Sequence, residues 1–104
     1  MSAVVTIAYP RPEGAVKFDL KYYVDKHMPL VDKTWGPKGL KSWIVTEHKE
    51  GPYVVQAILH WESTEKFGTA AAGDGGPEIF ADVKSFTDIQ PIVLKGEVAG
   101  TWSA

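Results

Sequence analysis

The sequence predicts an α+β domain of the ferredoxin-like type. Its elements run β-α-β-β-α-β, with a four-stranded antiparallel sheet and both helices on one face. Two helix-phased segments lie among four short runs rich in β-branched and aromatic residues. Glu50-Gly51-Pro52 joins the two middle runs as a hairpin. The 104 residues contain no repeat, linker or low-complexity tract. They are expected to form one domain, residues 1–104, that buries roughly 65% of its unfolded surface.

Val4 to Tyr9 reads as the first strand, ended by Pro10-Arg11-Pro12-Glu13-Gly14. A helix is expected from about Asp19 to Lys33, with the Asp19 carboxylate capping its first turn. Leu20, Tyr23, Val24, His27, Leu30 and Val31 fall on one helical stripe. Pro29 lies inside the pattern and removes a backbone donor, which predicts a kink or short break just before it. Trp35-Gly36-Pro37-Lys38-Gly39 is a turn cluster.

Leu40 to Lys49 and Tyr53 to Trp61 read as strands two and three. Strand three is apolar on both faces, as a central strand covered on both sides would be. Ser63 caps a helix from about Thr64 to Ala72. Gly73-Asp74-Gly75-Gly76-Pro77 follows as a flexible connector, a candidate lid. Pro77 then suits the first turn of a short helix reaching about Val83. Ile89 to Val98 is the last strand, and Pro91 confines it to a sheet edge or marks a bulge.

Helices on one face leave the other face of the sheet bare and apolar. A second copy packing sheet to sheet into a closed barrel would cover it, as would a ligand or a long loop. A homodimer is the economical expectation.

Composition removes several function classes. Net charge is −2, with acids and bases interspersed, so no basic face is offered to nucleic acid. There is no cysteine, which excludes disulfides, thiolate metal sites and thiol nucleophiles. No signal-like start and no apolar run near the ~20 residues of a membrane span occur, so a cytoplasmic protein is expected. No His-Glu-x-x-His, calcium-loop, phosphate-loop or dinucleotide motif is present. No metal and no cofactor are therefore expected.

His27 is the leading candidate for chemistry. It occupies a core-facing helical position, yet an imidazole titrates near neutral pH. Beside a cavity it would act as general acid or base, and burial would favour its neutral, proton-accepting form. In filled surroundings it would be a hydrogen-bonded core residue. Tyr23, one turn before it, could orient the imidazole or bind a substrate oxygen, or simply pack. Trp43, Tyr53, Leu59 and Trp61 would give one sheet face apolar walls for a small hydrophobic or aromatic ligand, or an aromatic-rich interface. His48 and His60 are too far apart along the hairpin for a shared metal. Asp82 and Asp88 read as turn and capping groups.

Tyr22-Tyr23-x-x-x-His27-x-Pro29-Leu30-Val31, followed by Trp35-Gly36-Pro37-x-Gly39-Leu40, resembles the ethyl tert-butyl ether degradation (EthD) family. Pro52-Tyr53-Val54-Val55-Gln56-Ala57, Trp61, and Ala81-Asp82-Val83-x-x-Phe86-Thr87-Asp88 with Pro91 extend the likeness over nearly the whole chain. The resemblance implies a dimeric α+β barrel and a link to oxidative breakdown of small organic molecules. It also maps the family's motif histidine onto His27. Related barrels include cofactor-free monooxygenases, isomerases, dehydratases and haem enzymes, so haem ligation by His27 or His60 is an alternative. Two functional expectations follow: proton transfer by His27 to a small hydrophobic or aromatic compound, or non-catalytic delivery of such a compound to an oxygenase partner. A structural dimer without a cavity is the third reading.

Overall fold

The computed structural model describes residues 2–104. Strands β1 (Ala3–Pro10), β2 (Leu40–Glu47), β3 (Tyr53–Trp61) and β4 (Ile92–Glu97) form one antiparallel sheet in the order β2-β3-β1-β4. β1 and β3 are central, as expected of strand three, but the helices cover only one of its two apolar faces. β4 lies at an edge, as Pro91 requires. Its pairing starts only at Ile92, after the proline, so the strand is shorter than the sequence suggests.

Side chains alternate across the sheet. Ala3, Val5, Tyr9, Val55, Ala57, Leu59 and Trp61 point to the helices and are buried. The opposite face carries Val4, Thr6, Ile44, Ile58, Ile92 and Leu94, paired across the strands. Ile44 and Leu94 are 61% and 54% exposed there.

The first helical segment begins with α1 (Leu20–Tyr22), where the Asp19 carboxylate accepts the Tyr22 amide at 3.0 Å. No break precedes Pro29. The ladder instead widens into a π-turn over Tyr23–His27, with the Met28 amide donating to the Tyr23 carbonyl, and continues as α2 (Met28–Trp35). A proline nitrogen cannot donate and its ring crowds the carbonyl four residues back, and widening the preceding turn accommodates both. The extra residue per turn re-phases the helix. The buried stripe is Tyr23, His27, Met28, Val31 and Trp35, while Val24, expected on it, is turned outward.

Ser63 caps α3 (Thr64–Ala72) by accepting the Lys66 amide at 3.1 Å. Gly75, at φ +88°, leads into α4 (Gly76–Ala81), and a 3₁₀ turn over Asp82–Ser85 completes the layer. At Gly76 the backbone passes so close to α3 that a Cβ would collide with the Ala71 carbonyl oxygen. Gly76→Ala is therefore expected to destabilise the fold by about 1–3 kcal/mol, the usual cost of overpacking. Chemical denaturation would measure this, and an unchanged midpoint would contradict the close approach.

Among the described residues no helix is long and apolar enough to cross a membrane.

Candidate active site

Between the helix layer and the β1-β3-β4 part of the sheet lies a chamber of about 140 Å³. Its floor is Ile7, Tyr9, Ala57, Leu59 and Val93 from the sheet. The helical segment adds Tyr23, His27, Met28, Val31 and Trp35. Ile79, Phe80, Val83, Gln90 and Pro91 close it from the chain's last third. An apolar cavity of ~150 Å³ accommodates benzene, so this one is about one aromatic ring in size. A four-pyrrole macrocycle does not fit beside His27. His60 lies on the other face of the sheet, paired with Val4 and Ser42.

Of the residues singled out in the sequence, His27, Tyr23 and Leu59 meet at this chamber. The other three expected wall residues lie elsewhere. Trp61 shares the helix-facing side but lies further along β3, fully buried among Trp35 and Phe67. Trp43 belongs to the edge strand β2, and its indole donates to Asp32 at 3.1 Å on the outside of α2. Tyr53 stands at the start of β3 opposite Pro10, off the chamber's end. Alternation groups them on one face of the sheet without saying which face the helices cover, and only position along the strand decides which touch the cavity.

His27 is buried, at 5% exposure, and its Nδ1 lies 3.0 Å from Asp82 Oδ2. The other carboxylate oxygen of Asp82 accepts the Tyr22 hydroxyl at 2.8 Å. Asp82 is thus not the simple turn residue that its sequence context suggests. An ionised carboxylate can only accept, so Nδ1 carries the proton and Nε2 offers a lone pair. Among the described residues Nε2 has no hydrogen-bond partner, and it is not one of the sealed polar atoms. It is left to the chamber.

The imidazole stacks on Tyr23 at 5.3 Å and 13°, and Phe86 braces it edge-on at 4.7 Å. Burial pushes the His27 pKa below 6.5, and the Asp82 carboxylate, by hydrogen bond and charge, offsets only part of that. Burial tends to raise the Asp82 carboxyl. Hydrogen bonds from His27, Tyr22 and Ser85 outweigh it and hold the group below the usual range. Burial also drives the Tyr9 and Tyr23 phenols well above their ordinary value, so both stay protonated donors.

These shifts fix the pH behaviour. Between the lowered folded pKa of His27 and its ordinary 6.5, the unfolded chain binds more protons than the native one. Stability is therefore expected to fall as pH drops below 6.5. Asp82 adds a further loss below its ordinary value near 3.8. An NMR titration of His27 should give a midpoint under 6.5. Asp82→Asn should lower it further, because the charge that favours the imidazolium is gone. A wild-type midpoint at or above 6.5 would contradict the burial.

The chain thus forms a split β-α-β-β-α-β domain with an aspartate-held histidine on a ring-sized chamber. Solved structures with the same arrangement show the family. An EthD-like protein from Ralstonia eutropha JMP134 is 30% identical, with 98% of this chain aligned to 96% of that one at a TM-score of 0.84. An EthD family protein from Bacillus halodurans C-125 is 21% identical over 94% of this chain and 99% of that one, at a TM-score of 0.71. The chain belongs to the EthD family. SnoaB, a cofactor-independent oxygenase from Streptomyces nogalater, shares the fold at a TM-score of 0.63 and 11% identity, over 96% of this chain and 93% of that one. No family model and no curated protein matches the sequence.

Proposed function

We propose that this EthD-like protein converts a small, uncharged, ring-sized compound by proton transfer at His27, within a homodimer. The observation that carries the reading is the split duty of the imidazole: Nδ1 bound to Asp82, Nε2 unpartnered on an apolar chamber wall. Nε2 accepts a proton from an acidic C–H or O–H of the substrate, leaving a carbanion or oxyanion. The imidazolium that forms is stabilised by the ionised Asp82. Tyr23 donates to the Tyr9 oxygen, and the Tyr9 hydroxyl, kept protonated by burial, supplies a donor for the developing charge. No Lys or Arg lines the chamber, so nothing there would repay the desolvation of a carboxylate or phosphate. Leu59 with Ala57, Met28 and Val31 supplies the apolar contacts.

Proton abstraction is the shared first step of isomerisation, of water elimination and of substrate-driven reaction with dioxygen. The last is in keeping with SnoaB, a cofactor-independent oxygenase that shares the fold. The exposed Ile44, Ile92 and Leu94 on the open sheet face support a second copy covering it, since soluble monomers rarely leave such a face bare.

A panel of uncharged phenols, enones and hydroxy-ketones of one ring tests the reading by binding and by turnover. Wild type is expected to bind members of this set. Ala57→Leu, which grows into the chamber floor, is expected to lose them while remaining folded. Equal binding by both proteins would place the ligand outside the chamber and defeat the proposal. Binding without any turnover, unaltered in His27→Gln, would favour a delivery role beside an oxygenase.

A further inference from the structure

We propose that Tyr22 is a positioning residue for the base: its hydroxyl fixes the Asp82 carboxylate, so that Asp82 holds His27 as the Nδ1–H tautomer with Nε2 turned to the chamber. The π-turn over Tyr23–His27 is what brings the two side chains onto one carboxylate. The inference rests on the proton-transfer reading above and deepens it by naming what sets the tautomer.

Asp82 alone would hold His27 loosely. Its side chain is 19% exposed, against 6% for His27, so water competes for the carboxylate. A carboxylate bound through one oxygen also turns about its own bond. Tyr22 removes that freedom from the other side. Its hydroxyl donates to Oδ1 at 2.8 Å, while Oδ2 faces His27 Nδ1 at 3.0 Å. A donor on each oxygen leaves the carboxylate one rotation. Ser85 is a further donor, but it belongs to the same 3₁₀ turn as Asp82 and moves with it. Among the described residues, Asp82 is the charged group that acts on His27, so the placement of this one carboxylate decides where the imidazole proton sits.

Tyr22 is itself held. The Asp19 carboxylate accepts its amide at 3.0 Å, and its ring stacks on Phe86 at 6.3 Å and 27°. The same Phe86 ring meets His27 edge-on, so phenol and imidazole lean on one support while they share Asp82. The helix geometry explains how both reach it. Residues five apart stand about 140° apart around a regular helix, which would turn Tyr22 away from the His27 side. The π-turn puts one more residue into the turn between them. Tyr22 and His27 thereby gain the common face that residues four apart normally share. Tyr22 does not line the chamber, so it acts on the reaction only through Asp82.

Tyr22→Phe keeps the ring and its stacking on Phe86 and removes only the hydroxyl. Nitrogen-15 NMR of the neutral imidazole reads the tautomer directly and needs no substrate. Wild type should show His27 as Nδ1–H. In Tyr22→Phe the Nε2–H form should rise to at least about one-tenth of the population, because an unheld imidazole samples both tautomers. With a panel compound that wild type turns over, kcat should fall at least about tenfold while KM stays within about twofold, since the chamber wall is untouched. Ser85→Ala, which removes the donor on Asp82's own turn, should leave the tautomer as in wild type. An unchanged tautomer in Tyr22→Phe would overturn the positioning role. A changed tautomer with kcat intact would overturn its bearing on the reaction, and an equal shift in Ser85→Ala would overturn the assignment to Tyr22. Absence of turnover in wild type would defeat the proton-transfer reading by itself, and the tautomer would still decide for or against Tyr22.

Discussion

His27→Ala should lower turnover of any substrate of the chamber by about 10²–10⁴-fold, the usual worth of a positioned general base. The fold should survive, because the imidazole is one member of a large aromatic cluster that keeps its other members. Ligand affinity should change only a few-fold, since the chamber walls are otherwise apolar and intact. The variant leaves Asp82 without one partner, but that carboxylate is part-exposed and retains the Tyr22 hydroxyl at 2.8 Å. His27→Gln separates geometry from chemistry: its amide can donate to Asp82, but it has no basic lone pair near neutral pH. Both variants should therefore be equally inactive. The falling acid limb of wild-type kcat/KM should report the lowered imidazole pKa, below 6.5, and should be absent from the residual rate of either variant. Turnover that persists in His27→Gln would reject proton transfer by this residue, whatever the affinity.

Much of the fold was legible because local chemistry and global topology agree. Asp19 and Ser63 cap where their side chains predict, and Gly51-Pro52 closes the hairpin. Pro91 marks the edge strand. The helical phase that singled out His27 holds through the π-turn, whereas for Val24 it fails, because one extra residue in a turn rotates the helix face. The site was legible only where it is local. Tyr23 and His27 share a helical turn and could be paired by spacing. Asp82 lies 55 residues from His27, and no spacing rule connects the end of a second helical layer to the middle of the first. Its local signal, an aspartate beside a glycine- and proline-punctuated short helix, is that of a cap. Trp43, Tyr53 and Trp61 illustrate the complementary limit. Two-residue periodicity groups residues on a face, but says neither which face the helices cover nor which rung of the ladder lies under a cavity and which under a packed ring.

Phe86→Ala should be the most destabilising single change near the site and should take the site apart with the fold. Phe86 is 4% exposed, with its ring centroid 4.7 Å from His27, 4.8 Å from Tyr23, 5.2 Å from Phe18 and 5.9 Å from Tyr9. Removing such a ring typically costs about 3–5 kcal/mol. A domain of this size has only ~5–15 kcal/mol in total. The melting temperature should accordingly fall by at least about 12 °C. The loss is not uniform in consequence. Phe86 also marks where the chain is pinned to Asp19, immediately after the turn that presents Asp82. A cavity at 86 therefore loosens the carboxylate that holds His27 and the face against which the imidazole rests. Phe86→Leu, which retains most of the apolar volume, should recover most of the melting temperature. It should recover less of the activity, because a branched aliphatic side chain cannot brace the imidazole edge-on. Benzene, at the size of the missing ring, should raise the melting temperature of Phe86→Ala more than that of wild type. If Phe86→Leu restored activity and stability in equal measure, the aromatic brace would be packing alone, and the orientation of His27 would rest entirely on Asp82.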